Sequence, residues 1–257
     1  MAARDRTFPW MLYSAELIGT ALLVGVGLSI VILDFGQGSP LIQLVPNPGS
    51  RKLMTGFLFG SVGALIAFSP IGKESGAHIN PAVTLGFWLI GKLKPRHLFG
   101  YVLAQLIGAV IGAAPLLLWG QMGRSIAFGA TQPGAAYGPG WALLGEVVTT
   151  SLLIFGLFFF LQHRRLQAFT PLLFPFLYAL MVFFEADVSG TSTNPARSFG
   201  PAVISGNWHA WWVYCLGPLL GTLLGVSLYR LTGLRWSTIA VAKLHHFNHD
   251  RYGVFHP

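Results

Sequence analysis

Two Asn-Pro-Ala triplets, Asn80-Pro81-Ala82 and Asn194-Pro195-Ala196, are the residues of this chain best placed to do chemistry. Each reads as the start of a helix. An Asn side chain accepts an orphan amide of a first helical turn. Pro fits the first helical position, where its missing N–H has no partner to lose. A helix N-terminus carries roughly half an elementary positive charge. Where two such starts meet, a neutral molecule with a lone pair is favoured, and a cation or a hopping proton is not. The NH2 donors of Asn80 and Asn194 are expected to stay free and point into a lumen. Arg197 puts a cation into an apolar segment, where it must face water or a partner. Glu16 and Glu146 are lone carboxylates in apolar runs, suited either to proton relay or to holding backbone amides of nearby loops.

These residues need elements to carry them. A bilayer crossing takes about 20 apolar residues. Six runs qualify: 9–33, which contains only Glu16 as a charge, then 53–70, 98–119, 141–162 with only Glu146, 166–184 and 208–229. The first run is too long for the apolar core of a signal peptide and shows no clear cleavage site, so it reads as a retained span. Two further apolar stretches, 80–91 and 194–205, are too short to cross. At ~1.5 Å per residue each would reach roughly 18 Å as a helix, a little over half of a ~30 Å hydrocarbon core. Such half-helices are tolerated only inside protein or beside a water-filled cavity.

The chain repeats itself. Residues 15–23, AELIGTALL, echo 145–153, GEVVTTSLL. Residues 76–82, GAHINPA, echo 190–196, GTSTNPA, and Gly108 and Gly112 echo Gly221 and Gly225. Each half is span, span, half-helix, span. Three crossings per half is an odd number, so the second half must run upside down, which brings the two triplets together near the bilayer centre. Inverted repeats with broken helices mark transport proteins. The expected fold is an all-α membrane protein of six transmembrane helices plus two re-entrant half-helices. It forms a single channel domain: repeat one about 9–119, a linker 120–140, repeat two about 141–232, and a tail 233–257. Repeat symmetry favours loop support over proton relay for Glu16 and Glu146.

Composition agrees. The chain has 257 residues, 53% hydrophobic and only 9% charged, with a mean hydropathy of +0.62. Soluble domains carry about 25% charged residues, so a disordered chain, a coiled coil and an ordinary cytosolic enzyme are excluded. One cysteine excludes a disulfide framework and a Cys-based zinc site. The net charge of +8 contains no basic run suited to nucleic acid. Arg4, Arg6, Lys73, Lys92, Lys94, Arg96, Arg164, Arg165, Arg230, Arg235, Lys243 and Arg251 fall on one side of alternating spans, against Arg51, Lys52, Arg124 and Arg197 on the other. Both termini are therefore expected to be cytoplasmic. No nucleophile–base pair and no catalytic metal motif is found, so neither an enzyme nor a cofactor is expected. Clustered His245, His246, His249 and His256 could bind metal or sense pH, but a disordered tail is the expectation.

With its flanking residues, the first box reads Ser75-Gly76-Ala77-His78-Ile79-Asn80-Pro81-Ala82-Val83-Thr84, and the second Asn194-Pro195-Ala196-Arg197-Ser198-Phe199-Gly200-Pro201-Ala202. In these, in its early Glu-x-x-x-Thr and in Gly217-Pro218, the chain resembles the aquaporin (major intrinsic protein) family over residues 10–232. The resemblance implies a passive channel for water, open also to small neutral solutes, in a lipid bilayer, as a homotetramer of the cell membrane. It implies an outer constriction of four residues: Arg197, Thr191, Val182 and a residue of the second span. That fourth position falls on Phe59 if the following loop is one residue longer, or on Gly60 in an ungapped count; Phe59 is preferred. Water-selective members usually carry His where Val182 stands. Glycerol-conducting members usually carry a second aromatic where Thr191 stands and Asp where Ser198 stands. A glycerol-type facilitator is therefore the alternative, and a proton-coupled transporter a more distant one. His78 is expected to line the cytoplasmic vestibule or brace its loop. Asp187 matches a family position near the outer loop, whereas Glu185 does not and reads as a vestibule charge.

Overall fold

The structure is a computed structural model that describes residues 8–232 and 239–255. Arg4, Arg6, Arg235 and His256 lie outside the described residues. Eight helices carry the architecture: α1 (Trp10–Phe35), α2 (Pro48–Phe68), α3 (Pro81–Leu89), α4 (Pro95–Ala113), α5 (Pro139–Gln162), α6 (Thr170–Glu185), α7 (Pro195–Ser205) and α8 (Val213–Leu231). All but α3 and α7 belong to segments long and apolar enough to cross a membrane. Pro opens several of them, at Pro48, Pro81, Pro95, Pro139 and Pro195, where its fixed φ suits the first turn.

Three boundaries differ from the sequence reading. α2 starts at Pro48, upstream of residue 53, because Asn47 caps it: its Oδ1 accepts the Ser50 amide at 3.0 Å. The segment of α4 runs on to Arg124 through a 3-10 stretch, Ala114–Trp119, and a short helix, Gly120–Arg124. α8 starts only at Val213, since Trp208 and Trp211 fold back against Phe199 in an aromatic cluster.

Spans pack where side chains vanish. A Cβ on Gly108 or Gly112 of α4 would run into the carbonyls of Leu17 and Ala21 of α1. In the second half, a Cβ on Gly221 or Gly225 of α8 would meet the carbonyls of Val147 and Ser151 of α5. Leu17 and Ala21 follow Glu16 by the same intervals as Val147 and Ser151 follow Glu146, so the two halves pack alike. Close approach through small residues is how helices associate where lipid supplies no hydrophobic drive. α2 and α6 join the halves: Gly56 and Gly60 lie against the backbone of Tyr178 and Phe174. The outer faces stay apolar, as with Leu103, Ile107 and Ile111 on α4 and Leu144, Val148 and Leu152 on α5, which suits them to lipid.

The tail departs from expectation. Residues 239–255 are packed, not disordered. Ile239, Val241, Ala242, Lys243, Leu244, Val254 and Phe255 are all buried. Their backbone and side chains are tied to the segment joining α2 to α3.

The glycine contacts predict a contrast. Gly56→Ala should destabilise the protein by about 1–3 kcal/mol through overpacking. Gly63→Ala, on the same helix but with no atom nearer than 4.0 Å to its added methyl, should be neutral or better. Thermal unfolding in detergent reads both; equal midpoints would remove the packing role assigned to Gly56.

Candidate functional site

α3 and α7 meet at their N-termini. Asn80 Oδ1 accepts the Ala82 amide at 2.8 Å. Asn194 Oδ1 accepts those of Ala196 at 3.0 Å and Arg197 at 3.3 Å. Each Asn then reaches across to the other repeat: Asn80 Nδ2 donates to the Thr193 carbonyl and Asn194 Nδ2 to the Ile79 carbonyl, both at 2.9 Å. The expectation of wholly free NH2 groups is thus corrected. One hydrogen of each amide staples the loops together, and the second hydrogen remains. Pro81, Ala82, Pro195 and Ala196 are buried in the first turns.

The loops ahead of both triplets are built alike. Ala77 and Ile79 in one, Thr191 and Thr193 in the other, have positive φ of 42–55°. Such conformations cost of order 1–3 kcal/mol each and persist only when other contacts enforce them. Glu16 enforces the first: Oε1 accepts the His78 amide at 2.9 Å and Oε2 the Ile79 amide at 2.7 Å. Glu146 enforces the second, accepting the amides of Ser192 at 2.6 Å and Thr193 at 2.8 Å. Gln105 Nε2 and Ser189 Oγ donate to the same carboxylates, at 2.7 and 2.8 Å. Both glutamates are fully buried and engaged by these loops. His78 stacks on Phe87, with ring centroids 4.7 Å apart, and donates from Nε2 to the Ala242 carbonyl at 2.9 Å.

Two cavities lie along this axis. The inner one, about 40 Å³, is walled by Asn80, Asn194, Ile79, His78, Val83 and Gly60 among others, and has room for a few waters. On the side of the 120–140 linker opens a vestibule of about 790 Å³, which Val182, Thr191, Arg197, Asp187 and Lys52 help to line. Asp187 and Lys52 pair at its rim. Arg197 is buried there. Its Nη1 donates to the Gly129 carbonyl of the linker at 2.9 Å, and its Cζ lies 5.9 Å from the Phe59 ring centroid. Thr131 of the same linker holds Ser198 at 2.7 Å. Thr191 Oγ1 donates to Glu185 Oε2 at 2.5 Å, so Glu185 orients a vestibule hydroxyl from behind.

Among the described residues, Phe59 and Tyr178 alone line both cavities and so form the wall between them. Their ring centroids are 5.8 Å apart. Gly60 lines only the inner cavity. Tyr178 escaped the sequence reading. It lies four residues before Val182, one turn deeper on the same face of α6, and its hydroxyl is 2.7 Å from Thr193 Oγ1. A polar aromatic at i−4 from a chosen lumen position was the available signal.

Six crossing helices in two inverted halves, with two half-helices capped tip to tip around an axial cavity, define a membrane channel of the inverted-repeat class. A family model described as Major intrinsic protein matches residues 4–229. Aquaporin-4 of Mus musculus is 34% identical over 223 residues, covering 86% of this chain and 66% of that protein, so the chain spans about two thirds of the mouse relative. Aquaporin AqpM of Methanothermobacter marburgensis is 32% identical over 238 residues, 84% of this chain and 94% of that one. Aquaporin Z of Rhodopseudomonas palustris is 32% identical over 229 residues, 85% and 92%. The X-ray structure of the aquaglyceroporin from Plasmodium falciparum shares the fold, with a TM-score of 0.69 at 19% identity, covering 89% of this chain and all of that one. The chain belongs to the major intrinsic protein family.

The paired carboxylates predict a graded effect. Glu146→Ala orphans the Ser192 and Thr193 amides, each worth about 1–3 kcal/mol. Glu146→Gln keeps one acceptor and should lose less. Yield of monodisperse protein and its unfolding midpoint should fall in the order parent, Gln, Ala. An Ala variant as stable as the parent would sink this account of the loop.

Proposed function

We propose that this protein is a passive pore for water that excludes ions and protons. The observation that carries the reading is the head-to-head pair of capped half-helices with Asn80 and Asn194 on the wall of the axial cavity. A molecule passing there finds donors and partial positive charge, with an otherwise largely apolar wall that holds it loosely. Arg197, Thr191, Val182 and Phe59 form the outer constriction in this reading, and Tyr178 extends it one turn inward. The face where the tail docks is cytoplasmic, following the cation bias, and the linker face is external. The functional unit is a single channel domain in two repeats, 9–119 and 141–232, assembled as a homotetramer in the cell membrane, as the family likeness suggests.

A second reading, a facilitator for small polyols such as glycerol, has one observation in its favour. Tyr178 supplies beside Phe59 the second aromatic that Thr191 does not. An apolar ring pair can carry the carbon backbone of a polyol while Arg197 takes its hydroxyls.

Proteoliposomes decide between them. Under an osmotic step, the protein should speed vesicle shrinkage well above that of empty vesicles, without saturation and without response to a pH gradient. Saturating, proton-linked flux would instead indicate a coupled transporter. Val182→His adds bulk and a donor at the constriction, and should cut glycerol or urea flux more than water flux; equal loss of both would place Val182 outside the narrow point.

Charge exclusion has its own test. Arg197 stays charged at working pH, and the helix N-termini add a weaker field where little solvent screens it. Arg197→Val combined with Asn194→Asp should pass more cation or proton current under voltage clamp than either change alone, per protein at the surface. A folded, water-permeable double variant with parental current would refute the charge filter.

A further inference from the structure

The segment 239–255 does what chain termini seldom do. Terminal residues usually fray unless something ties them down. Here most of the hydrogen bonds run to one place, residues 68–78, the stretch that leads from α2 into the first Asn-Pro-Ala loop, and Arg251 adds a contact to Met11 of α1. The Leu244 amide donates to the Gly76 carbonyl at 3.1 Å. The Ala242 carbonyl accepts from His78 Nε2 at 2.9 Å. Lys243 Nζ donates to the Lys73 carbonyl. His246 Nε2 donates to the Phe68 carbonyl at 3.0 Å, and His249 Nε2 meets Glu74 Oε1 at 3.0 Å.

Lys243 shows how closely the segment is seated. It is fully buried, its Nζ lies 4.4 Å from the Phe255 ring centroid, and burial pushes it down to about 8. An ammonium removed from water needs such partners, and the loop carbonyl and ring of the docked segment supply them.

The decisive side chain is its neighbour. Leu244 is 4% exposed and forms part of the wall of the inner cavity, alongside Ala77 and His78 and opposite the Phe59–Tyr178 end. We propose that residues 239–255 are an intramolecular plug: the mouth on the terminal side of the axial cavity is a binding surface for this segment, and Leu244 closes it. This rests on the pore reading above. A file of waters leaving the Asn80–Asn194 region meets an isobutyl group with no donor or acceptor, and a narrow apolar barrier of that kind gates by excluding water. Besides its buried apolar side chains, the segment is held by single hydrogen bonds to Phe68, Lys73, Gly76, His78 and Glu74, none of which belongs to α3, so it can leave without unfolding α3. The pore conducts when it leaves.

Two readouts test this, on the protein reconstituted as a full chain, as a chain ending at Thr232, and as full-length Leu244→Gly. If the plug is seated ~90% of the time, removing it raises water flux per protein about tenfold. The second readout needs no conduction. Gly63 lines the same cavity, with open space for a side chain. In a Cys215→Ser background, Gly63→Cys places a single thiol there. A small charged methanethiosulfonate should label it about tenfold faster in detergent once the tail is removed or Leu244 is Gly. Faster labelling with faster flux supports the plug. Unchanged labelling overturns it, whatever the flux, and so does faster labelling with unchanged flux in conducting vesicles. Faster labelling with no flux in any form leaves the tail as the cover of the cavity and instead refutes the pore reading. If the shortened chain does not give monodisperse protein, Leu244→Gly alone decides by the same outcomes.

Discussion

The fold depends on satisfying the backbone of two loops that enter an apolar interior. Helix and span hydrogen bonds take care of themselves, but residues 77–80 and 191–194 have no ladder to join. Glu16 and Glu146 each take two consecutive amides, and the crossed amides of Asn80 and Asn194 take the carbonyls of Thr193 and Ile79. Charge-assisted bonds of this kind are about twice as strong as neutral ones. That strength offsets the left-handed conformations at Ala77, Ile79, Thr191 and Thr193. Break one carboxylate and both the strained loop and the half-helix it starts lose their anchor.

The rest of the bundle holds those anchors in place. Gly108 and Gly112 bring α4 onto α1 beside Glu16, and Gly221 and Gly225 bring α8 onto α5 beside Glu146. Gly217 lies over the Glu146 side chain itself, where a Cβ would strike its Cβ. Small residues are thus spent where carboxylates must sit close to a neighbouring helix. The linker adds the last constraint: Gly129 and Thr131 fold over the vestibule and fix Arg197 and Ser198. A segment rich in Gly and Pro performs this because it offers bare carbonyls, which a regular helix would have used internally.

Electrostatics and sterics are separated along the axis. Arg197 and the acidic Asp187 line the wide vestibule, while the aromatic pair Phe59 and Tyr178 stands between it and the cavity of the half-helices. Val182 lines the vestibule, and Tyr178 lies one turn below it on α6. The tyrosine hydroxyl is tied to Thr193, the residue whose amide Glu146 holds. One side chain thus joins the wall between the two cavities to the geometry of the second loop.

Much of this was legible in the linear order of residues. Apolar runs fix span number, because nothing else of that length and composition survives in water. The repeated AELIGTALL and GEVVTTSLL segments fix the inversion, and Asn-Pro fixes both half-helix starts through capping chemistry local to a few residues. Loop support by Glu16 and Glu146 followed from their symmetric places. Other features depend on contacts between residues far apart in sequence, and no local pattern encodes them. Whether Phe59 or Gly60 faces the vestibule turns on how α2 rotates against α6, since Gly60 is spent on the Phe174 carbonyl. Tyr178 gained its place only once α6 set it opposite Phe59. The tail was misread because its polar, His-rich composition looks disordered. Its order comes from carbonyls at Phe68, Lys73 and Gly76, more than 160 residues away, which lie at the end of α2 and in the short helix Pro70–Ser75 and its cap, where the last carbonyls of a helix have no partner within it.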